Sequence, residues 1–144
     1  MIRPSDIHTL TDWAGGGLVS TADDYGAFAR FMFTGLAPDG RRLLSEASIK
    51  AMATNRLTPA QMKDGELILG AGRGWGLGLG VQVQESPAGV RPGAYGWDGG
   101  FGTSWFNDPA AGLTAILLTQ RVFDSPDPPQ VHKDFQRDAY AALA

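Results

Sequence analysis

Apolar residues along this chain change their spacing twice, and each change predicts a change of structure. Tyr25, Phe28, Phe31 and Met32 recur at helical spacing behind Ser20-Thr21-Ala22-Asp23-Asp24. That opening supplies a hydroxyl cap and then acids suited to the positive end of a helix dipole. The three aromatics are expected in the core, and Gly35 is placed to end the helix in a left-handed turn. Ala37-Pro38-Asp39-Gly40 reads as a turn, after which Ser45 caps a second helix that buries Ile49, Met52 and Ala53. Thr58-Pro59 predicts a further short capped turn and Asp64-Gly65 a tight one.

From Trp75 the period falls to two. Trp75, Leu77, Leu79, Val81 and Val83 alternate with Gly76, Gly78, Gly80, Gln82 and Gln84, the pattern of one strand with an apolar face. A turn through Pro87 to Gly93, a returning segment from Tyr95 to Phe106, another turn at Asn107 to Gly112 and a strand from Leu113 to Gln120 complete a three-stranded antiparallel meander. Beyond the proline-rich connector Asp124 to Pro129, Val131, Phe135, Ala139 and Leu143 recur every fourth residue, so a last helix lays one stripe across the sheet. The expectation is an α+β fold in one domain: helical over 18–56, sheet over 66–121 and a terminal helix over 130–143.

Composition narrows the function classes. Of 144 residues 43% are hydrophobic and 19% charged, a globular balance. A net charge of -3 gives no footprint for nucleic acid or anionic lipid. No cysteine is present, which excludes disulfides, thiolate metal sites and thiol nucleophiles. The Leu113 to Leu118 run is too short for a membrane span, and Met1 to Leu10 lacks the apolar core of a signal peptide. If Met1 is the natural start, the expected location is the cytoplasm.

The candidate chemistry lies in Tyr95-Gly96-Trp97-Asp98-Gly99-Gly100-Phe101-Gly102-Thr103-Ser104-Trp105. A glycine backbone presents its N–H groups without a Cβ in the way, and Trp97 and Phe101 can line a pocket beside it. His8 and His132 are far apart in sequence and are expected at the surface. Asp23 and Asp24 point different ways on a helix and suit capping better than catalysis. The glycines from Gly70 to Gly80 run into a strand, without the Gly-Lys-Ser/Thr of a phosphate loop, so nucleotide binding is discarded. No cofactor or metal is expected.

Two blocks together resemble the carboxy-terminal part of the serine β-lactamase-like family, which includes class C β-lactamases, D-alanyl-D-alanine peptidases and related esterases. The first is Gly15-Gly16-Gly17-Leu18-Val19-Ser20-Thr21-Ala22-Asp23-Asp24-Tyr25; the second is Tyr95 to Gly100 with Gly102-Thr103-Ser104-Trp105 and Asp108-Pro109. The resemblance implies that Trp97-Asp98-Gly99 fills the family's third motif, Lys-Thr-Gly or its His-x-Gly and Trp-x-Gly forms. Gly100 would then offer an oxyanion N–H, with Trp97, Asp98, Gly99 and Phe101 binding substrate. Tryptophan in place of lysine removes a partner for a substrate carboxylate, and Asp98 is expected to repel an anion, so neutral esters or amides are favoured.

The family's Ser-x-x-Lys and Tyr-x-Asn are both absent here: Ser45, Ser48 and Ser104 are followed three positions later by Ser48, Ala51 and Asn107. In the family these motifs precede the region matched, so the resemblance implies that residues 1–144 are a single partial domain, a carboxy-terminal segment inactive alone. Its partners would be a small ester or amide substrate and an amino-terminal half that completes it. The alternative is a non-catalytic module that self-associates or binds a partner through an exposed sheet edge. Nucleic acid and membrane are not expected partners.

Overall fold

The computed structural model describes residues 20–143. Helix α1, Ala22–Thr34, begins at Thr21, whose hydroxyl accepts the Asp24 N–H at 3.1 Å and donates to its carboxylate at 3.0 Å. It ends at Gly35 in a left-handed conformation. Helix α2, Glu46–Met52, is capped by Ser45. Thr58 does more than cap a turn, because with Gln61 it closes a reciprocal capping box on α3, Pro59–Asp64. A one-turn helix α4, Glu66–Leu69, follows where the sequence reading begins the sheet.

Among the described residues the sheet has five strands, not three: β1 Arg73–Trp75, β2 Gly80–Gln82, β3 Tyr95–Gly99, β4 Thr103–Asp108 and β5 Leu113–Leu118, in the order β1-β2-β3-β4-β5 and antiparallel throughout. Two of the expected single strands are hairpins: the segment over 95–106 folds back between Gly99 and Thr103 into β3 and β4, and the strand over 75–84 splits into β1 and β2. Gly78 takes φ +83, which only glycine adopts readily, and the Gly76 N–H closes the turn on the Leu79 carbonyl at 2.7 Å. Alternation alone hides such a turn because glycine is silent on either face. The turn is tied to α2 through the Leu77 N–H and Met52 carbonyl at 3.0 Å, and Gly76 runs so close to that carbonyl that a Cβ would collide with it.

Alternation along β4 and β5 divides the core between two layers. Trp105 pairs with Ile116, and both join Ala29, Met32, Val81 and Tyr95 beneath α1. The next pair, Phe106 and Ala115, joins Val90 and Ala94 beneath the terminal helix α5, Gln130–Ala141. Ala29 and Met32 are the buried residues of α1, whereas Tyr25 and Phe28 remain partly exposed. Both rings lean on Trp105, Tyr25 edge-on and Phe28 tilted, with centroids 5.9 and 5.4 Å away.

The stripe on α5 also turns out rotated. Val131 and Leu143 are exposed; Phe135, Ala139 and Tyr140 pack on the sheet, and His132 is 1% exposed instead of at the surface. The spacing 132, 135, 139 is the helical i, i+3, i+7 face, and a strict period of four drifts off it. His8 and Gly15–Gly17 lie outside the described residues.

Candidate active site

The site begins where two strands part. β4 pairs with β3 along its full length, but β2 pairs with it only at Gly80 with Gly96 and Val81 with Tyr95. The hairpin turn at Gly76 to Leu79 ends β2 early, so Trp97, Asp98 and Gly99 have no ladder partner on that side among the described residues. Open backbone and three motif residues therefore share one edge.

β1 furnishes the wall beside this edge. Its Trp75 is fixed through both backbone groups, the N–H to Asn55 Oδ1 at 3.1 Å and the carbonyl from the Arg56 N–H at 2.8 Å. The Trp75 ring meets Trp97 edge-on at 4.5 Å between centroids, a favoured aromatic geometry. Arg73 reads two successive residues of β3, with Cζ 5.3 Å above the Trp97 ring and Nη1 donating to Asp98 Oδ2 at 2.7 Å.

Asp98 sits in a nearly closed polar cluster. Ser104 Oγ donates to its Oδ1 at 2.6 Å, and His132 Nδ1 lies 3.9 Å from the same oxygen, beyond direct hydrogen-bond reach. Burial by itself pushes this carboxyl up, but His132, the Arg73 guanidinium and the Ser104 hydroxyl outweigh it and hold the pKa down at about 2. Asp98 is thus an ion-paired carboxylate, which corrects the expectation that it repels an anion. The same pair consumes the Arg73 charge.

Neither ring nitrogen of His132 has a hydrogen-bond partner among the described residues, and the ring stacks edge-on against Phe123 at 4.9 Å. Among those residues no group of three or more His, Asp or Glu side chains is placed to hold a metal.

Beyond Asp98 the chain turns tightly. Gly99 backs onto Thr103, Gly100 faces open space, and Phe101 stands 57% exposed at the tip. The turn closes through the Gly102 N–H and Gly99 carbonyl at 2.9 Å, while the Gly100 carbonyl accepts the Phe123 N–H at 2.8 Å. Gly102 has φ +91 and backs onto Thr119 and Arg121, so a side chain there would be strained and would collide.

The structure gathers Trp97, Asp98 and Gly100 on the wall of one cavity of about 510 Å³, together with Ser104, Phe106 and Phe123. Gly99 and Phe101 are adjacent in the chain and not on that wall. Sequence reasoning missed Arg73, Trp75, Ser104 and His132. His132 had a signal in its spacing to Phe135; Arg73 had none, because its partner lies 25 residues on.

A five-stranded antiparallel sheet between helices, with a glycine-rich strand open along one edge, is the architecture of β-lactamase-like hydrolases and acyltransferases. The family profile described as Beta-lactamase matches residues 3–140, and the chain belongs to that family. Two Mycobacterium tuberculosis proteins, uncharacterized protein MT1414 and Protein Rv1367c, are each 41% identical over 138 residues, covering 91% of this chain and 32% of their own lengths. This chain therefore spans about a third of the curated relatives it matches.

Among solved structures, EstCE1, a hydrolase with promiscuous acyltransferase activity, superposes with a TM-score of 0.68 at 27% identity over 87% of this chain and 30% of its own. The LovD6 mutant of simvastatin synthase from Aspergillus terreus gives the same TM-score at 22% identity over 90% of this chain and 35% of its own, a likeness of fold. No helix among the described residues is long and apolar enough to cross a membrane.

Proposed function

We propose that this chain forms the oxyanion-side wall of an acyl-transfer pocket in a β-lactamase-like serine hydrolase, acting on a neutral ester or amide through an acyl-serine. The nucleophile comes from sequence this chain does not contain, since Ser-x-x-Lys and Tyr-x-Asn are both absent from it. The observation that carries this reading is Gly100, which faces open space on the cavity wall immediately beyond the stretch of β3 that β2 leaves unpaired.

An N–H in that place is a donor for the developing oxyanion, with Trp97 as the flanking apolar surface. Pairing of Arg73 with Asp98 leaves neither of these two charges free for a ligand, which favours a substrate without a carboxylate. The hydrolase and acyltransferase activities named for EstCE1 fit the same chemistry. Among the described residues β5 is the last strand of the sheet, and its outer edge is where an amino-terminal half would add its own strand.

The test is complementation with the amino-terminal portion of a longer relative that carries Ser-x-x-Lys. Neither part alone should hydrolyse p-nitrophenyl acetate, and the mixture should. Gly100→Pro, which removes the N–H, should cost the mixture about a hundredfold or more in kcat. Gly100→Ala, which keeps the donor and meets only open space, should not. Turnover indifferent to Gly100→Pro, or none on mixing, sinks the reading.

A further inference from the structure

We infer that the cavity beside Gly100 receives the apolar chain of the substrate ester, so that this site selects esters with an extended aliphatic acyl group over acetyl-sized ones. The inference rests on the acyl-transfer reading and adds to it the substrate class. Its first support is continuity: Gly100 and Trp97 belong to the same wall as Leu69, Val90 and Phe106. A carbonyl held at the Gly100 N–H therefore has apolar walls within reach of its substituent. The volume, about 510 Å³, is far more than an acetyl group fills and lies in the range of pockets that enclose whole small ligands.

The charges on the wall argue for an uncharged occupant. Arg73 is paired with Asp98 at 2.7 Å, and Lys133 with Asp127 at 2.8 Å, so each cation here already has its carboxylate. An anionic or cationic tail would have to displace one of these pairs, whereas a hydrocarbon chain leaves both intact.

The cavity mouth supplies an independent observation. Ile68, on the one-turn helix α4, lines the cavity yet is 62% exposed, and its neighbour Leu67 is exposed as well. Two large aliphatic side chains held toward solvent cost hydration free energy that a chain passing between them and the cavity would recover.

The probe is methyl hexanoate, with methyl acetate as the short-tailed control, titrated into the ¹⁵N-labelled chain and followed by amide shifts. Methyl hexanoate should bind saturably and move the amides of Val90, Phe106 and Gly100, and methyl acetate should bind about tenfold more weakly or worse, since each buried methylene contributes to affinity. Ala88→Trp, which fills the cavity from the loop side, should abolish that binding. Ile68→Asp changes an exposed residue and keeps the spectrum of a folded chain; it should weaken methyl hexanoate several-fold and leave methyl acetate unchanged.

No saturable binding, or binding that Ile68→Asp leaves unaltered, overturns the inference. Binding that never moves Gly100 also overturns it, because the occupant would then be unconnected to the acyl site. These outcomes are independent of the complementation assay. Hydrolysis of p-nitrophenyl acetate that depends on Gly100, without binding of methyl hexanoate, would leave the acyl-transfer reading standing and remove this one.

Discussion

The two faces of the sheet are held by different physics. Under α1 the core is apolar, with Met32, Tyr95 and Trp105 packed together, and its polar groups are neutral: the Tyr95 hydroxyl donates to the Met32 carbonyl at 2.7 Å and Asn107 Nδ2 to the Ala29 carbonyl at 2.9 Å. Under α5 a smaller apolar cluster shares its layer with buried Asp108 and His132 and with Asp98, whose side chain is 8% exposed. The first face responds to protons only in alkali, where burial pushes the Tyr95 hydroxyl up; the second holds carboxylates and responds to acid as well. The candidate site borders the second, so the residues that support it are the ones whose loss should be felt both in stability and in charge.

Truncation at the centre of each face gives the largest expected effects and separates them by rescue. Trp105→Ala should cost about 3–5 kcal/mol through its cavity. Asp98→Ala should cost a similar amount, about 3–5 kcal/mol, because it strands the Arg73 guanidinium, whose side chain is only 17% exposed. Urea unfolding measures both. Replacing the pair together, Asp98→Leu with Arg73→Met, should recover at least about half of the Asp98→Ala loss, since an apolar pair removes the unpaired charge. If the double variant is no better than Asp98→Ala, the α5 face is held by packing, as the α1 face is, and the contrast fails.

Acid should divide the faces next. The Asp98 carboxyl titrates near 2 in the folded chain against 3.8 unperturbed, so its folded pKa is depressed. Stability from that shift is complete above about pH 4 and is lost as pH falls through 2, a change of about 2 kcal/mol. Between pH 4 and 2, hydrogen exchange should quicken at α5 and β3 before α1. Asp98→Asn should flatten this acid limb; an unchanged limb in that variant would place the acid sensitivity elsewhere.

The α1 face was the more legible in sequence because its signals are local. Thr21 and Ser45 as caps and Gly35 as the stop follow from neighbouring residues, and the structure has them. The α5 face escaped because its determinants are distant. Arg73 meets Asp98 across two strands, and β1 itself was hidden by glycines whose alternation with apolar residues imitates one long strand. Part of the candidate site was readable for the same reason that the hairpin was not. Trp97, Asp98 and Gly100 are nearly consecutive and share a motif, whereas Arg73, Ser104 and His132 come together only when β1, β4 and α5 are in place.

The finest comparison replaces one hydroxyl on each face. Tyr140 donates to the Asp108 carboxylate at 2.7 Å, and Tyr95 donates to a neutral carbonyl. A hydrogen bond to a charged acceptor is worth more, so Tyr140→Phe should cost about 2 kcal/mol and Tyr95→Phe about 1 kcal/mol. Asp108 keeps the Ala110 and Ala111 N–H groups at 2.9 and 3.1 Å on its other oxygen, which limits the loss in the first variant. Alkali adds a second readout. Burial first, and then the acceptor role of Asp108, push the Tyr140 hydroxyl up to about 12 from 10.0. Its contribution to stability is complete below pH 10 and is lost as pH rises through 12. Tyr140→Phe should therefore lower stability at neutral pH and reduce the further fall in alkali, which urea unfolding at pH 8 and 11 resolves. Equal losses from the two variants at neutral pH, with the same alkaline fall in both, would show that the charged face gains nothing from its charge.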